Sequence, residues 1–321
     1  MRILVLGGTG FIGGAFVERA VADGHFVRVL SRHVPAGETK AASTSIDYMS
    51  GDFCDMEILE RAATDMDLCL HAASTTVPAT SNRFMEKDVA ENLIGSIRIL
   101  QTCLRSSVKR VVFISSGGTV YGLPVKLPIM ESDATEPISA HGIVKLSIEK
   151  YLALYGKLYG LDYRIARLSN PYGPKQRAVS GQGVVAAFVE KALKGEPLLV
   201  MGDGTIVRDF IYIDDAIEAL HRLCTYAGPY RIFNVGSGVG TSVNAIIASI
   251  AAEMESVPRA EYQETRKFDV PSNILSCDLA RRELKWHAAT TFAAGLRATI
   301  DARRVELVRK ITDVAARPSD H

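Results

Sequence analysis

Met1-Arg2-Ile3-Leu4-Val5-Leu6-Gly7-Gly8-Thr9-Gly10-Phe11-Ile12-Gly13 opens the chain, an apolar strand that ends in glycines where a helix would begin. Without side chains at Gly7 and Gly10 the turn can be tight and a phosphate can approach the backbone, while Gly13 lets the helix lie close to the strand. The free N–H groups of the first helical turn, around Phe11 and Ile12, then form a cradle for a pyrophosphate. A glycine triplet alone is also common at ordinary strand-to-helix turns. Here an amphipathic segment runs from Phe11 to Asp23 and a second strand, Phe26 to Leu30, follows at the spacing of a βαβ unit. That context predicts a dinucleotide-binding unit.

Outward from this stretch the alternation continues. Strand-like runs recur at 2–6, 26–30, 46–49, 67–71, 109–115 and 162–168, separated by helix-like segments at 11–23, 55–64, 84–106 and 141–159. The pattern predicts an α/β chain with a Rossmann-type doubly wound parallel sheet and ligands at the carboxyl ends of its strands. Beyond Asn170 the elements shorten, with helices near 183–194, 215–226, 242–254 and 291–310 and strand-like pieces at Phe210 to Ile213 and Arg231 to Val235, for which two options stand, rejoining the first sheet or forming a small one of their own. We expect a dinucleotide-binding domain over 1–170 and a smaller substrate-binding lobe over 171–314 that partly returns to the first sheet. The last residues, 315–321, read as a frayed tail.

The composition narrows the function classes. With 321 residues, 47% hydrophobic, 23% charged and a net charge of +1, the chain is that of an ordinary globular protein with no electrostatic case for nucleic acid or a membrane surface. Cys54, Cys69, Cys103, Cys224 and Cys277 are dispersed and odd in number, which reads as reduced thiols in a cytoplasm and not as a disulfide frame or a metal site. The apolar opening is short and glycine-ended, a strand and not a signal peptide.

By this point the residues carry a likeness. Gly7 to Gly13, Gly51-Asp52, His71-Ala72-Ala73, Asn92 with Gly95, Ser115 to Gly122, Lys145, Arg167 to Gly173 and Arg208-Asp209-Phe210 together resemble the extended short-chain dehydrogenase/reductases. The likeness is nearest to nucleotide-sugar epimerases and dehydratases, especially the UDP-hexose 4-epimerase group. It implies roles by position. Asp52 and Phe53 match the pair that holds adenine, Ala72, Ala73 and Ser74 the wall beside the pyrophosphate and nicotinamide ribose, and Asn92 the helix asparagine near the cofactor. Asn170 matches the residue that meets the sugar nucleotide's diphosphate, and Arg208, Arg266 and Asp269 the later residues that clamp diphosphate and ribose. The arginines suit that chemistry, since a planar guanidinium binds two phosphate oxygens at once.

NAD-preferring members resemble one another in an acid at the end of the second strand. This chain has Leu30-Ser31-Arg32 there, and Ser31 and Arg32 would accept a 2′-phosphate that a carboxylate would repel, so of NADP and NAD we expect NADP to be preferred.

The resemblance implies a tyrosine four residues before a lysine as the proton-transferring pair, helped by a serine or threonine hydroxyl. Here the segment reads Ser139-Ala140-His141-Gly142-Ile143-Val144-Lys145, with the lysine in place and histidine where the tyrosine would be. The usual hydroxyl position falls on Gly117, leaving Ser116 and Thr119 nearest. An imidazole beside a lysine cation is neutral at pH 7 and can accept a proton, although it is shorter than a phenol. The expected catalytic set is therefore His141, Lys145, Thr119 and Ser116. His71 reads as a packing residue, and Tyr121 as pocket wall or a substitute acid. Thr75, Thr76, Val184 and Val185 are expected to line the substrate pocket.

Dehydratases of this kind place a carboxylate just after the active hydroxyl, and Gly117-Gly118-Thr119 supplies none. UDP-hexose 4-epimerase-like chemistry through a 4-keto intermediate is thus expected first, NADP-dependent reduction of a keto-sugar nucleotide second, and a catalytically silent dinucleotide-binding sensor or interaction protein third. Family likeness also implies a homodimer through the segments Phe84 to Leu104 and His141 to Tyr159, with Ile148, Tyr151, Leu152 and Tyr155 either at that interface or in the core.

Overall fold

The computed structural model describes residues 1–34, 45–76, 78–177, 183–264 and 270–315. The opening run forms β1 (Arg2–Leu6), the glycine turn leads into α1 (Phe11–Ala22), and β2 (Phe26–Ser31) and β3 (Ile46–Ser50) follow. After α2 (Met56–Ala63) the chain crosses to the other side of β1 and lays down β4 (Leu68–His71). Short helices α3 (Pro78–Ser81) and α4 (Met85–Asp88) precede a π turn at Val89–Ile94 and α5 (Gly95–Arg105). The run β5 (Arg110–Ser116), α6 (Ala140–Tyr159) and β6 (Asp162–Leu168) completes the first half.

Six of these strands and a later one build a seven-stranded sheet in the order β10-β6-β5-β4-β1-β2-β3, every adjacent pair parallel. The order reverses between β1 and β4, the switch point at which doubly wound sheets open a crevice above their carboxyl ends. Alternation along β1 sends Ile3 and Val5 into one apolar layer and Leu4 and Leu6 into the other. The first layer packs under α1 and a later helix, the second under α2, α5 and α6, so the sheet is covered on both faces as a parallel sheet must be.

The second half begins with β7 (Asn170–Tyr172), α7 (Val184–Lys194), β8 (Leu198–Met201), β9 (Val207–Tyr212) and α8 (Ile213–Thr225). The strand β10 (Ile232–Val235) then returns to pair with β6, which is the expected partial return to the first sheet. The remaining elements are β11 (Gly240–Ser242), α9 (Val243–Met254), β12 (Ala260–Gln263), β13 (Ser272–Asn273), α10 (Asp278–Leu284) and α11 (Phe292–Ala315). Strands β7, β11 and β13 pair with β9, while β8 pairs with β12. Helices α7, α9 and α11 enclose a separate apolar cluster around Tyr172, Phe188, Val189, Phe210, Ile246 and Leu296. Val185, expected at the substrate pocket, lies in this cluster with almost no exposure. Of the expected frayed tail, Ala315 ends α11 and 316–321 lie outside the described residues.

Two details refine the sequence reading. The helix expected over 84–106 runs without a gap from Met85 to Arg105 but widens into the π turn at Val89–Ile94, and beside it the side chains of Asp88 and Asn92 turn inward to bond each other and Thr76. Ile148, Leu152 and Tyr155 belong to the core beneath α6, because that face meets the sheet; its outward face carries Ile143, Tyr151, Leu154, Leu158 and Tyr159. No helix among the described residues is long and apolar enough to cross a membrane.

Candidate active site

The glycine turn is packed as a cradle requires. A Cβ added at Gly7 would lie 2.9 Å from the Ala73 Cα, and one at Gly13 would lie 2.3 Å from the Gly7 carbonyl oxygen. Gly7 also has φ +81°, a conformation that favours glycine. No side chain caps α1, whose N-cap is Gly10, so no side-chain hydrogen bond occupies the N–H groups of its first turn. These features fit the diphosphate of a dinucleotide, held by backbone and helix dipole.

Around this cradle the expected cofactor residues take varied positions. The Asp52 carboxylate accepts from the Cys54 N–H at 2.9 Å, and Phe53 is buried in the layer under α2 and α5, its ring 6.2 Å from His71. Ala72 and Ala73 line the switch point and Ser74 is bonded to the Thr76 carbonyl. The hydroxyls of Ser31 and Thr9 are 2.6 Å apart across the crevice mouth, and Arg32 is exposed. Asn92 is a buried amide. It accepts from the Thr75 N–H at 2.9 Å and donates to Thr76 at 3.0 Å and Asp88 at 2.6 Å, tying the loop after β4 to the π turn.

His141 and Lys145, the expected proton-transfer pair, both lie on α6. Its first turn is fixed twice, by Ser139 accepting from the Gly142 N–H at 3.2 Å and by Asn82 accepting from the Ala140 N–H at 2.8 Å. Gly142 is required here, since a Cβ would fall 2.5 Å from the Thr119 carbonyl oxygen; its absence lets α6 settle on the 116–122 loop. Lys145 donates to the Ile114 carbonyl at 2.9 Å and lies over the Phe113 ring, at the end of β5.

His141 is 8% exposed and makes no hydrogen bond among the described residues. Burial, with the Lys145 charge in support and Asp88 opposing, pushes its pKa down to about 4. The Lys145 ammonium is pushed down to about 8 by burial, with Asp88 and Glu149 acting the other way. The Thr119 hydroxyl is buried without a partner among the described residues, the state of a group that waits for one. Ser116 ends β5 beside it. A Cβ at Gly117 would meet the Leu275 side chain at 2.5 Å and the Arg167 carbonyl oxygen at 3.0 Å, so the usual hydroxyl position is closed by packing.

Tyr121 is not available as a substitute acid. Its hydroxyl donates to Asn234 at 2.7 Å and accepts from Arg167 at 2.9 Å, and burial pushes its pKa up to about 12. Arg167 in turn forms a buried pair with Glu149 at 2.7 Å. His71 bonds Ser96 at 2.8 Å, and burial holds it neutral, down to about 3.

Of the residues expected to meet the substrate, the Asn170 amide donates to the Asp209 carbonyl at 2.9 Å, and Arg208 donates to the Val207 and Val270 carbonyls at 2.9 and 2.5 Å. Arg266 and Asp269 lie outside the described residues. The sequence reading missed Asp88. Its one signal was an acid four residues before Asn92, hence on the same side of a helical segment.

The chain matches the NAD dependent epimerase/dehydratase family over residues 3–236. The UDP-glucose 4-epimerase of Mycolicibacterium smegmatis is 32% identical, over 94% of this chain and 98% of its own. Among solved structures, the UDP-glucose 4-epimerase of Thermotoga maritima with UDP-glucose superposes with a TM-score of 0.89 at 34% identity, covering 96% of this chain and 100% of that one. The Thermus thermophilus UDP-glucose 4-epimerase complex with NAD gives 0.87 at 32% identity over 95% and 99%. With its glycine cradle, reversed strand order and extended match, the chain belongs to the NAD dependent epimerase/dehydratase family.

Proposed function

We propose that the protein interconverts UDP-hexoses at C4, with His141 as the proton-transferring group in place of a tyrosine. The observation that carries this reading is the enclosed His141 ring, its pKa pushed down by burial, on the same helix as Lys145, where Gly142 lets that helix settle on the loop bearing the unpartnered Thr119 hydroxyl. Residues 1–170 hold the dinucleotide. Gly7, Gly10 and the start of α1 take its diphosphate, Asp52 and Phe53 its adenine end, and Lys145 its nicotinamide ribose. When bound, the nicotinamide supplies a reversible two-electron acceptor. Residues 171–314 hold most of the sugar nucleotide, with Asn170, the last residue of the first domain, and Arg208 at its diphosphate; the family resemblance assigns Arg266 and Asp269 to the same clamp.

Within that frame Thr119 orients the C4 hydroxyl of the sugar and His141 accepts its proton. After the 4-keto sugar has turned over in the pocket, His141 returns the proton to the C4 oxygen. One group serves as base and acid, so no net proton or electron is consumed. A dehydratase would need a further acid at Gly118, and a side chain there is lacking.

The family description supports NAD as a cofactor, and the strand end supports a preference for NADP over it: β2 ends on Ser31 and Arg32, with no carboxylate to repel a 2′-phosphate. The outward apolar face of α6, continued by Phe84, Met85, Val89 and Ile94, supports a homodimer.

The test is to incubate the protein with UDP-glucose and NAD or NADP and follow the anomeric protons by NMR. Appearance of UDP-galactose supports the reading. A chain that instead consumes NADPH with a 4-keto sugar nucleotide is a reductase, and one that binds the dinucleotide but no UDP-sugar is a sensor.

A further inference from the structure

Replacing a tyrosine by a histidine inverts the charge that a proton-transfer site must tolerate. A tyrosine base cycles between phenolate and phenol, and a lysine cation beside it favours the working, charged form. A histidine base cycles between imidazole and imidazolium, so the charge of Lys145 now opposes the form that holds the substrate's proton. Such a site needs a negative group close by.

Asp88 supplies one. It closes α4, is 1% exposed, and its Oδ1 accepts from Thr76 at 2.7 Å and from Asn92 at 2.6 Å while Oδ2 accepts from Ser81. Three donors from the loop after β4, from α3 and from the π turn thus fix the carboxylate, and α3, α4 and the π turn all pack on α6. No lysine or arginine pairs with Asp88 among the described residues, and a carboxylate buried without a cation in contact is expensive. Its charge acts on both His141 and Lys145 in the sense that favours a proton on each. The other charged groups near this pair are committed elsewhere. Glu149, one turn beyond Lys145, is bonded to Arg167, and His71 is neutral.

We propose that Asp88 is a positioning residue for the proton transfer: held by Thr76, Ser81 and Asn92, its carboxylate balances the charge that His141 acquires on taking the substrate's proton. This rests on His141 being the proton-transferring group.

The experiment is a sign reversal. Asp88→Asn is made in the unmodified chain and in the His141→Tyr variant. In the unmodified chain it should lower kcat about tenfold, the equivalent of one pKa unit, with KM little changed and partial recovery in Asp88→Glu. In the His141→Tyr variant the same change should help, lowering the pKa of the introduced phenol by about one unit. That pKa is read from tyrosinate absorbance in the ligand-free protein, after subtraction of a His141→Phe control. A merely structural role would damage both backgrounds alike. An unchanged or raised phenol pKa, or an unchanged kcat in the unmodified chain, overturns the proposal. If the unmodified chain turns over no UDP-sugar, the reading of His141 fails on its own, and the phenol titration still reports whether Asp88 exerts the charge proposed.

Discussion

Two buried neutral histidines make the fold acid-sensitive in a calculable way. Burial holds His71 at about 3 and His141 at about 4, each reinforced by Lys145, against 6.5 in an unfolded chain. The folded pKa values are depressed, so the stability they contribute is complete above pH 6.5 and is lost as the pH falls toward the folded values, because the unfolded chain binds protons that the folded one refuses. At 1.36 kcal/mol per unit, lowering the pH from 7 to 5 costs about 2 kcal/mol for each histidine and about 4 kcal/mol together. That is a large part of the ~5–15 kcal/mol that holds a domain folded. His141→Tyr removes one of the two titrating groups, so the variant should lose only about 2 kcal/mol over the same interval. Urea unfolding of the ligand-free protein and the variant at pH 7, 6 and 5 measures this directly. Equal losses in both proteins, or a stability that rises as the pH falls, would refute the reasoning.

Other perturbations follow from the packing. Glu149→Gln leaves Arg167 buried beside a neutral partner and should destabilise the fold by about 3–5 kcal/mol, seen as a lowered melting temperature. Gly13→Ala places a methyl 2.3 Å from the Gly7 carbonyl, so the cradle must open by 0.7 Å to reach even 3.0 Å; dinucleotide affinity by calorimetry should fall at least about tenfold. Restoring a hydroxyl with Gly117→Ser should cost about 1–3 kcal/mol of stability through overpacking against Leu275 and the Arg167 carbonyl, with no gain in turnover. Leu158→Asp on the outward face of α6 should shift the mass by light scattering from dimer to monomer while leaving the melting temperature of the monomer near that of the parent.

The sheet was legible because its signal is local. Each of the first six strands is a short strand-like run set between helical segments or turns, and the glycine spacing at 7, 10 and 13 carries its own steric reason. The return of β10 to β6 was legible only as one of two options, since pairing partners are not written in a four-residue strand. The outward face of α6 stays open in the sequence because apolar residues surround that helix, and which of them meet the sheet depends on its docking. At the site, His141 and Lys145 are picked out by the family resemblance and their four-residue spacing, and Thr119 as one of the hydroxyls nearest the position that falls on Gly117. Asp88 is not, because its significance comes from Thr76, Ser81 and His141, which distant parts of the chain bring to it. The closing of Gly117 by Leu275 was hidden for the same reason.

The central claim is that His141 exchanges a proton with the C4 hydroxyl while the hydrogen on C4 itself never reaches water. UDP-glucose carrying deuterium at C4, incubated with the unmodified protein and dinucleotide, should give UDP-galactose that retains the label at C4, and His141→Ala should slow its appearance by about 10²–10⁴-fold. Loss of the deuterium to solvent, or an unslowed His141→Ala variant, would contradict the account.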